Sequence, residues 1–218
     1  MLRQNQPRVF ACENSLQQGC CLVLFAVLRY TSVNMVYEAV EVLNTRAIEF
    51  AALGQFTEAI ACFERAITME NQNYLLWYNL GVTYRNLGNF DAARKMLEHA
   101  DKIAPYDDTS DDAIIETLSM VCFAQGDMQS AFNYCMRGIE LNECNPNFWN
   151  NAGVLFFNSQ DFLQAEHAFE NAVSLNPYFY DALFNLRDTY AELGDKKAAD
   201  ECARRLTELD PDGERGAE

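Results

Sequence analysis

Cysteine and histidine are the residues of this sequence that could serve as nucleophiles, general bases or zinc ligands. The chain contains eight cysteines and only two histidines, His99 and His167, which lie far apart in the sequence. Structural zinc sites usually take their ligands from closely spaced pairs, and no C-x-x-C pair occurs here. We therefore expect no metal site, no cofactor and no catalytic Cys–His pair.

Four cysteines fall on apolar positions of helical patterns rather than in loops: Cys62, Cys122, Cys135 and Cys202. Free cysteine is among the most frequently buried residue types, so these side chains are expected to pack in a core. The adjacent residues Cys20 and Cys21 cannot readily form a disulfide with each other. This use of cysteine is typical of a reducing compartment, and we predict a cytoplasmic protein without catalytic residues that is not an enzyme.

The charge of the chain limits its partners. With 16 basic and 32 acidic residues, the formal net charge is -16, so nucleic acids and anionic membrane surfaces would be repelled. The acidic run at residues 107–112 lacks the central glycine and the terminal glutamate of a calcium-binding loop, which favours a solvated turn. We expect no nucleic-acid partner and no small-molecule substrate.

A repeated pattern organises most of the sequence. The segment WYNLGVTY at residues 77–84 returns as WNNAGVLF at residues 149–156. Apolar residues recur at helical spacing before a turn at residues 87–89, and a second apolar stripe follows that turn. Each copy therefore predicts two antiparallel helices joined by a short turn.

Five such units account for the pattern, and we place them at 40–73, 74–107, 112–145, 146–179 and 180–213. They follow one another every 34 residues, with four extra residues between the second and third units. Period and composition together resemble the tetratricopeptide repeat. The resemblance implies an all-α, right-handed superhelical solenoid of about five antiparallel helix pairs, which binds an as yet unidentified protein or peptide. Residues 1–39 precede the units and residues 214–218 follow them.

In that family the first helices of successive pairs line a concave groove, where binding is expected. The position two residues after the tryptophan of the pattern is occupied in the five units by Thr45, Asn79, Thr117, Asn151 and Asn185. An amide offers both a donor and an acceptor, so a row of amides could pair with the backbone of an extended peptide. This row resembles the asparagine ladder of O-linked N-acetylglucosamine transferase and some other family members. In the alternative, these amides are simply solvated or form a hydrogen bond to a neighbouring helix.

Other side chains are predicted to face the same groove. The main candidates are Tyr78, Arg85, Asn150, Asn158 and Phe184. A subfamily that binds the carboxylate tails of heat-shock chaperones uses cationic residues at set positions, which here read Asn44, Ile48, Asn79, Ala113 and Thr117. Only Asn79 matches that pattern. Without cations to offset desolvation of the carboxylates, we predict that the protein does not bind chaperone tails.

The N-terminal segment allows several interpretations. Residues 20–28 are uninterrupted apolar residues, too few to span a bilayer, which takes about 20. This stretch either forms a helix that packs on the first repeat, or precedes a true translation start at Met35. In a further alternative, the protein is exported or is a membrane- or envelope-associated assembly factor tethered through residues 20–28.

Overall fold

The computed structural model of the chain describes residues 39–105 and 110–211, except for the side chains of residues 110 and 111. Within these ranges the regular secondary structure is entirely helical, which confirms the all-α prediction. Helix α1 includes the described residues 39–52. The others are α2 (Phe56–Met69), α3 (Tyr74–Asn86), α4 (Phe90–Ile103), α5 (Ser110–Ala124), α6 (Met128–Leu141), α7 (Pro146–Asn158), α8 (Phe162–Leu175), α9 (Tyr180–Leu193) and α10 (Lys196–Leu209). The predictions for residues 20–28 and Met35, and those for most of the acidic run, fall outside the described residues.

The helices form five consecutive pairs, each joined by a turn of two or three residues. In four pairs the turn contains a glycine with φ between 72 and 82°: Gly54, Gly88, Gly126 and Gly194. In the α3–α4 turn, the Asn89 backbone N–H bonds the Tyr84 carbonyl and the Gly88 N–H bonds the Arg85 carbonyl, which terminates α3 in a Schellman motif. The side chain of Asn89 then accepts the Ala92 N–H and begins α4.

The fourth turn differs, because Gln160 takes the glycine position with φ 64°. A side chain in this left-handed region costs roughly 1–2 kcal/mol, and part of that is recovered through the smaller entropy loss of a non-glycine residue on folding. We expect Gln160→Gly to raise the free energy of unfolding by about 0.5–1 kcal/mol in urea titrations. Gln160→Ala retains the β-carbon, so it should give no such gain. Equal stabilisation by both changes would contradict this account.

The second helix of each pair packs against the first helix of the next pair, and this contact makes the core continuous. One buried cluster joins Phe63 of α2 to Leu80 of α3, and another joins Leu97 of α4 to Leu118 of α5. Between α6 and α7, a β-carbon added to Gly138 would overlap the buried ring of Phe148, so these two helices pack closely at that point. The chain is therefore a solenoid in which each pair depends on its neighbour for burial.

Ion pairs reinforce the junction between the second and third pairs, where the sequence has its insertion. Arg137 of α6 binds both carboxylate oxygens of Asp101 on α4 at 2.8 and 2.9 Å. Arg94 of α4 contacts Asp127 at 2.8 Å. Hydrogen bonds from Ser130 and Arg94 lower the pKa of Asp127 to about 2, so this carboxylate favours the folded state above pH ~4 and ceases to do so as the pH falls towards 2.

The cysteines of the described chain pack largely as predicted. Cys122, Cys135 and Cys202 are buried free thiols, Cys62 is half-buried, and Cys144 is exposed. Burial raises the pKa of Cys122 and brings that of Cys135 to about 12. The three buried thiols therefore behave as small apolar side chains. Across residues 39–105 and 110–211, no helix is both long and apolar enough to cross a membrane.

Candidate functional site

The inner face of the solenoid is formed by the first helices of the pairs. The backbone of helix α5 approaches those of α3 and α7, and the backbone of α7 also approaches that of α9. The described second helices come no closer to one another than side-chain contacts such as the Arg137–Asp101 ion pair. First helices are therefore closer together than second helices, so their free faces line the concave side. We call this surface the groove.

Two of the predicted groove asparagines form matching pairs between neighbouring first helices. The Asn79 amide nitrogen donates to Asn44 Oδ1 at 3.2 Å, and the Asn185 nitrogen donates to Asn150 Oδ1 at 3.1 Å. In each pair the acceptor lies 35 residues before the donor, which is one unit back on the adjacent first helix. These amides therefore connect the repeats, and each retains a second N–H and its own carbonyl oxygen for other contacts.

Thr117 departs from the expected row. Its side chain is only 4% exposed, and its hydroxyl donates to the Ala113 carbonyl one turn back on α5 at 2.7 Å. This burial and this internal hydrogen bond do not favour a ligand contact at Thr117, and the predicted contact stays a prediction. Thr45 on α1 is exposed.

Asn151 on α7 lacks the partner that Asn79 and Asn185 have. The equivalent position on the preceding first helix holds Glu116, and that carboxylate accepts a hydrogen bond from Asn147 at 3.2 Å. The Asn151 amide nitrogen is buried and has no hydrogen-bond partner among the residues that the structure describes. Buried donors are nearly always paired, so this N–H is a candidate ligand contact.

Neighbouring groups offset the burial of the Glu116 carboxylate only in part. Burial raises its pKa, and the charge of Asp112 acts in the same direction. The hydrogen bond from Asn147 and the charge of Arg85 oppose that rise without cancelling it. A further positive charge in the groove near Glu116 would stabilise the ionised form.

A cavity of about 390 Å³ opens where α3, α5 and α7 meet. Three polar side chains line it: Arg85, Ser119 and Asn151. The rest of the lining is apolar and comes from Phe90, Met120, Phe123, Ala124, Val154 and Leu155. Sequence reasoning identified Arg85 and Asn151 but missed the apolar residues. One signal was available, because Ser119 replaces the glycine that the second and fourth units have as Gly81 and Gly153.

The other predicted groove residues differ in exposure and in contacts. Asn158 donates to the Val154 carbonyl of its own helix at 2.8 Å, so its amide is partly occupied. Phe184 is 37% exposed, and the Arg187 guanidinium lies 4.1 Å from the centre of its ring. Tyr78 is half-buried. A smaller cavity of about 110 Å³ between α7 and α9 includes Asn158 and Asn185.

Both histidines lie on second helices, away from the groove. His99 packs on Trp77 with ring centroids 4.2 Å apart, and His167 pairs with Asn171 at 3.3 Å. In the part of the chain that the structure describes, no three His, Cys, Asp or Glu side chains come together in a way that could hold a metal ion.

Comparison with known proteins gives one family and several relatives. A family model of the tetratricopeptide repeat matches residues 50–109 and 156–218, more than half of the chain. The BBSome complex member BBS4 of Bos taurus is 30% identical over 138 residues, which cover 63% of this chain and 26% of that protein. The chain thus spans about a quarter of the length of this relative.

Solved structures with the same fold include those of MamA and YrrB. MamA from Desulfovibrio magneticus RS-1 aligns with a TM-score of 0.68 at 15% identity, over 81% of this chain and 97% of that chain. YrrB, described as a tetratricopeptide-repeat protein with an unusual peptide-binding site, aligns with a TM-score of 0.59 at 20% identity, over 78% and 86%. At these identities the likeness concerns the fold.

Proposed function

The chain belongs to the tetratricopeptide-repeat family, and from this premise we propose that it is a non-enzymatic scaffold that binds an extended segment of a partner protein in the groove. Members of this family generally act in protein interaction. The proposal specifies the groove as the binding surface and an extended peptide as the ligand.

One observation carries the choice of surface. The Asn151 amide nitrogen is a buried donor without a partner among the described residues, and it lies at the edge of the groove cavity. An unpaired buried donor costs about 1–3 kcal/mol, and a ligand carbonyl placed there would remove that cost. The paired amides of Asn79 and Asn185 add donors and acceptors along the same face, in the manner of peptide recognition through the backbone.

The relatives favour the same kind of role. BBS4 is a member of the BBSome complex, and YrrB is described as a repeat protein with an unusual peptide-binding site. For this chain we propose the same general role, which is assembly with another protein through a bound segment. Partners that present carboxylate tails are disfavoured, because Ile48 and Ala113 occupy positions where a carboxylate clamp needs cations. A thiol-based reaction is also disfavoured, since burial raises the pKa of Cys122 and Cys135.

Photo-cross-linking distinguishes the groove from the outer surface. A benzoylphenylalanine introduced at Thr45 or Phe184 reports on the groove, and one at Lys95 or Leu163 reports on second helices, where both side chains are exposed. We expect irradiation in a lysate of the source cell to give the same discrete protein adduct from Thr45 and Phe184, with at least about tenfold less from the two controls. Adducts formed only at Lys95 and Leu163 would place binding on the convex face and refute the proposal.

A further inference from the structure

The cavity between α3, α5 and α7 has a buried polar donor that is not paired with any residue that the structure describes. Ser119 donates its hydroxyl to the Ala131 carbonyl at 3.0 Å, and Arg85 pairs with Asn86 at 3.1 and 3.3 Å. The Asn151 amide nitrogen remains without a partner among the described residues. A donor beside an apolar recess suits a ligand that combines a carbonyl oxygen with an apolar group.

We propose that this cavity anchors one large apolar side chain of the bound segment, while the backbone carbonyl of that same residue accepts a hydrogen bond from Asn151. This inference rests on the proposed function and specifies its ligand. The segment would also carry a Lys or Arg next to the anchor residue, directed towards Glu116.

The cavity is large enough and apolar enough to take one large apolar side chain with its backbone amide. About 390 Å³ lies at the low end of the roughly 300–1,000 Å³ of ligand pockets. Its walls include Phe90 of α4, Met120 and Phe123 of α5, and Val154 of α7. Met120 is 44% exposed, so the recess opens to the groove, where an extended chain can pass.

The neighbouring charge selects the flanking residue. Glu116 lies one helical turn before Met120 on α5, and Asn147 lies one turn before Asn151 on α7, so the Glu116–Asn147 pair lies next to the cavity along the groove. Arg85 faces Glu116 from α3, but its charge does not offset the burial of the carboxylate. With a net charge of -16 on the chain, a cationic segment is favoured at this point and an acidic one is repelled.

The position is distinct within the array. At the α1–α3 and α7–α9 contacts, the equivalent asparagine nitrogens donate to Asn44 and Asn150. At the α5–α7 contact Glu116 replaces the acceptor asparagine and is held by Asn147, which leaves Asn151 open. Substitution at one position of the repeat therefore converts a structural amide pair into a ligand contact.

Small amino-acid amides test the pocket directly, because each carries a side chain and a backbone carbonyl. We would titrate the intact ¹⁵N-labelled protein with N-acetyl-phenylalaninamide, N-acetyl-leucinamide and N-acetyl-alaninamide. The readout is the side-chain amide resonance of Asn151, assigned by its loss in Asn151→Ala. The Phe and Leu compounds should shift this resonance and bind about 10- to 100-fold more tightly than the Ala compound. Equal affinity of all three, or no shift at millimolar concentration, would overturn the proposal.

The flanking charge is tested with acetyl-Phe-Lys-amide and acetyl-Phe-Glu-amide. The lysine compound should bind at least about threefold more tightly, and Glu116→Gln, which keeps an acceptor for Asn147, should remove the difference. A preference that survives Glu116→Gln would show that another group selects the charge and refute this part of the inference.

Two variants separate the hydrogen bond from the cavity. Asn151→Ala should weaken binding of N-acetyl-phenylalaninamide about two- to twelvefold, read from the backbone amide of Val154. The matched control Asn171→Ala removes an amide of the second helix α8 that does not line the cavity, so it should leave affinity unchanged. Met120→Gln places a polar group in the lining and should also weaken binding. Equal losses in Asn151→Ala and Asn171→Ala would refute the specific role of Asn151.

The fragment titrations test the anchor pocket and the cross-linking tests the scaffold function, so the two proposals can fail separately. If Thr45 and Phe184 cross-link to a partner while the amides do not bind, the scaffold function stands and the anchor pocket is wrong. If adducts form only on the convex face, the proposed function fails, whatever the fragments do.

Discussion

Replacing Gly138 with alanine is expected to lower the free energy of unfolding by about 1–2 kcal/mol, although alanine is the better helix former. The added β-carbon would overlap the ring of Phe148, which is completely buried between α6 and α7. Overpacking of this kind costs about 1–3 kcal/mol and occasionally more, and it opposes a gain of about 1 kcal/mol in helix propensity. The steric cost dominates because the obstacle is a rigid ring and not the end of a flexible chain.

Urea titration measures this effect, and a double substitution checks its cause. In Gly138→Ala with Phe148→Leu, the smaller side chain gives the new methyl group room, so the two changes should cost less together than the sum of their single effects. Glu140→Ala, an exposed change on the same helix, should stay within about 0.5 kcal/mol of the wild type. Strictly additive effects of Gly138→Ala and Phe148→Leu would contradict the steric explanation.

Replacing Asn79, Asn151 and Asn185 together with alanine should weaken capture of the partner by about ten- to a thousandfold. Each amide hydrogen bond to the ligand backbone is worth about 0.5–1.5 kcal/mol, and three of them together account for that range. The stability of the protein should change much less. Two hydrogen bonds between repeats are lost with Asn79 and Asn185, and three alanines recover part of that cost through helix propensity.

The measurement is partner affinity alongside urea unfolding for the triple variant and each single variant. Asn133→Ala and Asn171→Ala supply controls, since they remove amides from the second helices α6 and α8. Among the single variants, Asn151→Ala should be the least destabilising because it breaks no hydrogen bond within the described protein. Normal capture by the triple variant would exclude the asparagine row as the binding surface.

The helical architecture could be predicted from the sequence because it depends on local, periodic information. Apolar residues at helical spacing and a glycine turn at a fixed interval define a helix pair, and the same residue types recur in each unit. The turn at Gln160 follows from this logic, since its neighbours impose a glycine-like conformation on a residue that does not favour it.

The site was less predictable because its properties depend on contacts between distant parts of the chain. The row of asparagines was visible, but the Asn79–Asn44 and Asn185–Asn150 pairs depend on how neighbouring first helices align. The burial of Thr117 depends on the size of the side chains around it. The cavity takes its lining from four helices, and no periodicity in the sequence indicates that their side chains leave a space.

The contact pattern of the helices also has a mechanical consequence. The backbones of neighbouring first helices lie close together, whereas those of the described second helices lie farther apart and meet through side chains such as Arg137 and Asp101. The pairs are therefore packed most closely along the inner edge of the solenoid. Bending of the solenoid would change the distances between α3, α5 and α7, and with them the width of the cavity that these helices share. A segment bound across these three helices would hold them at fixed distances along the inner edge. Binding of the segment should therefore make the solenoid stiffer and fix its curvature.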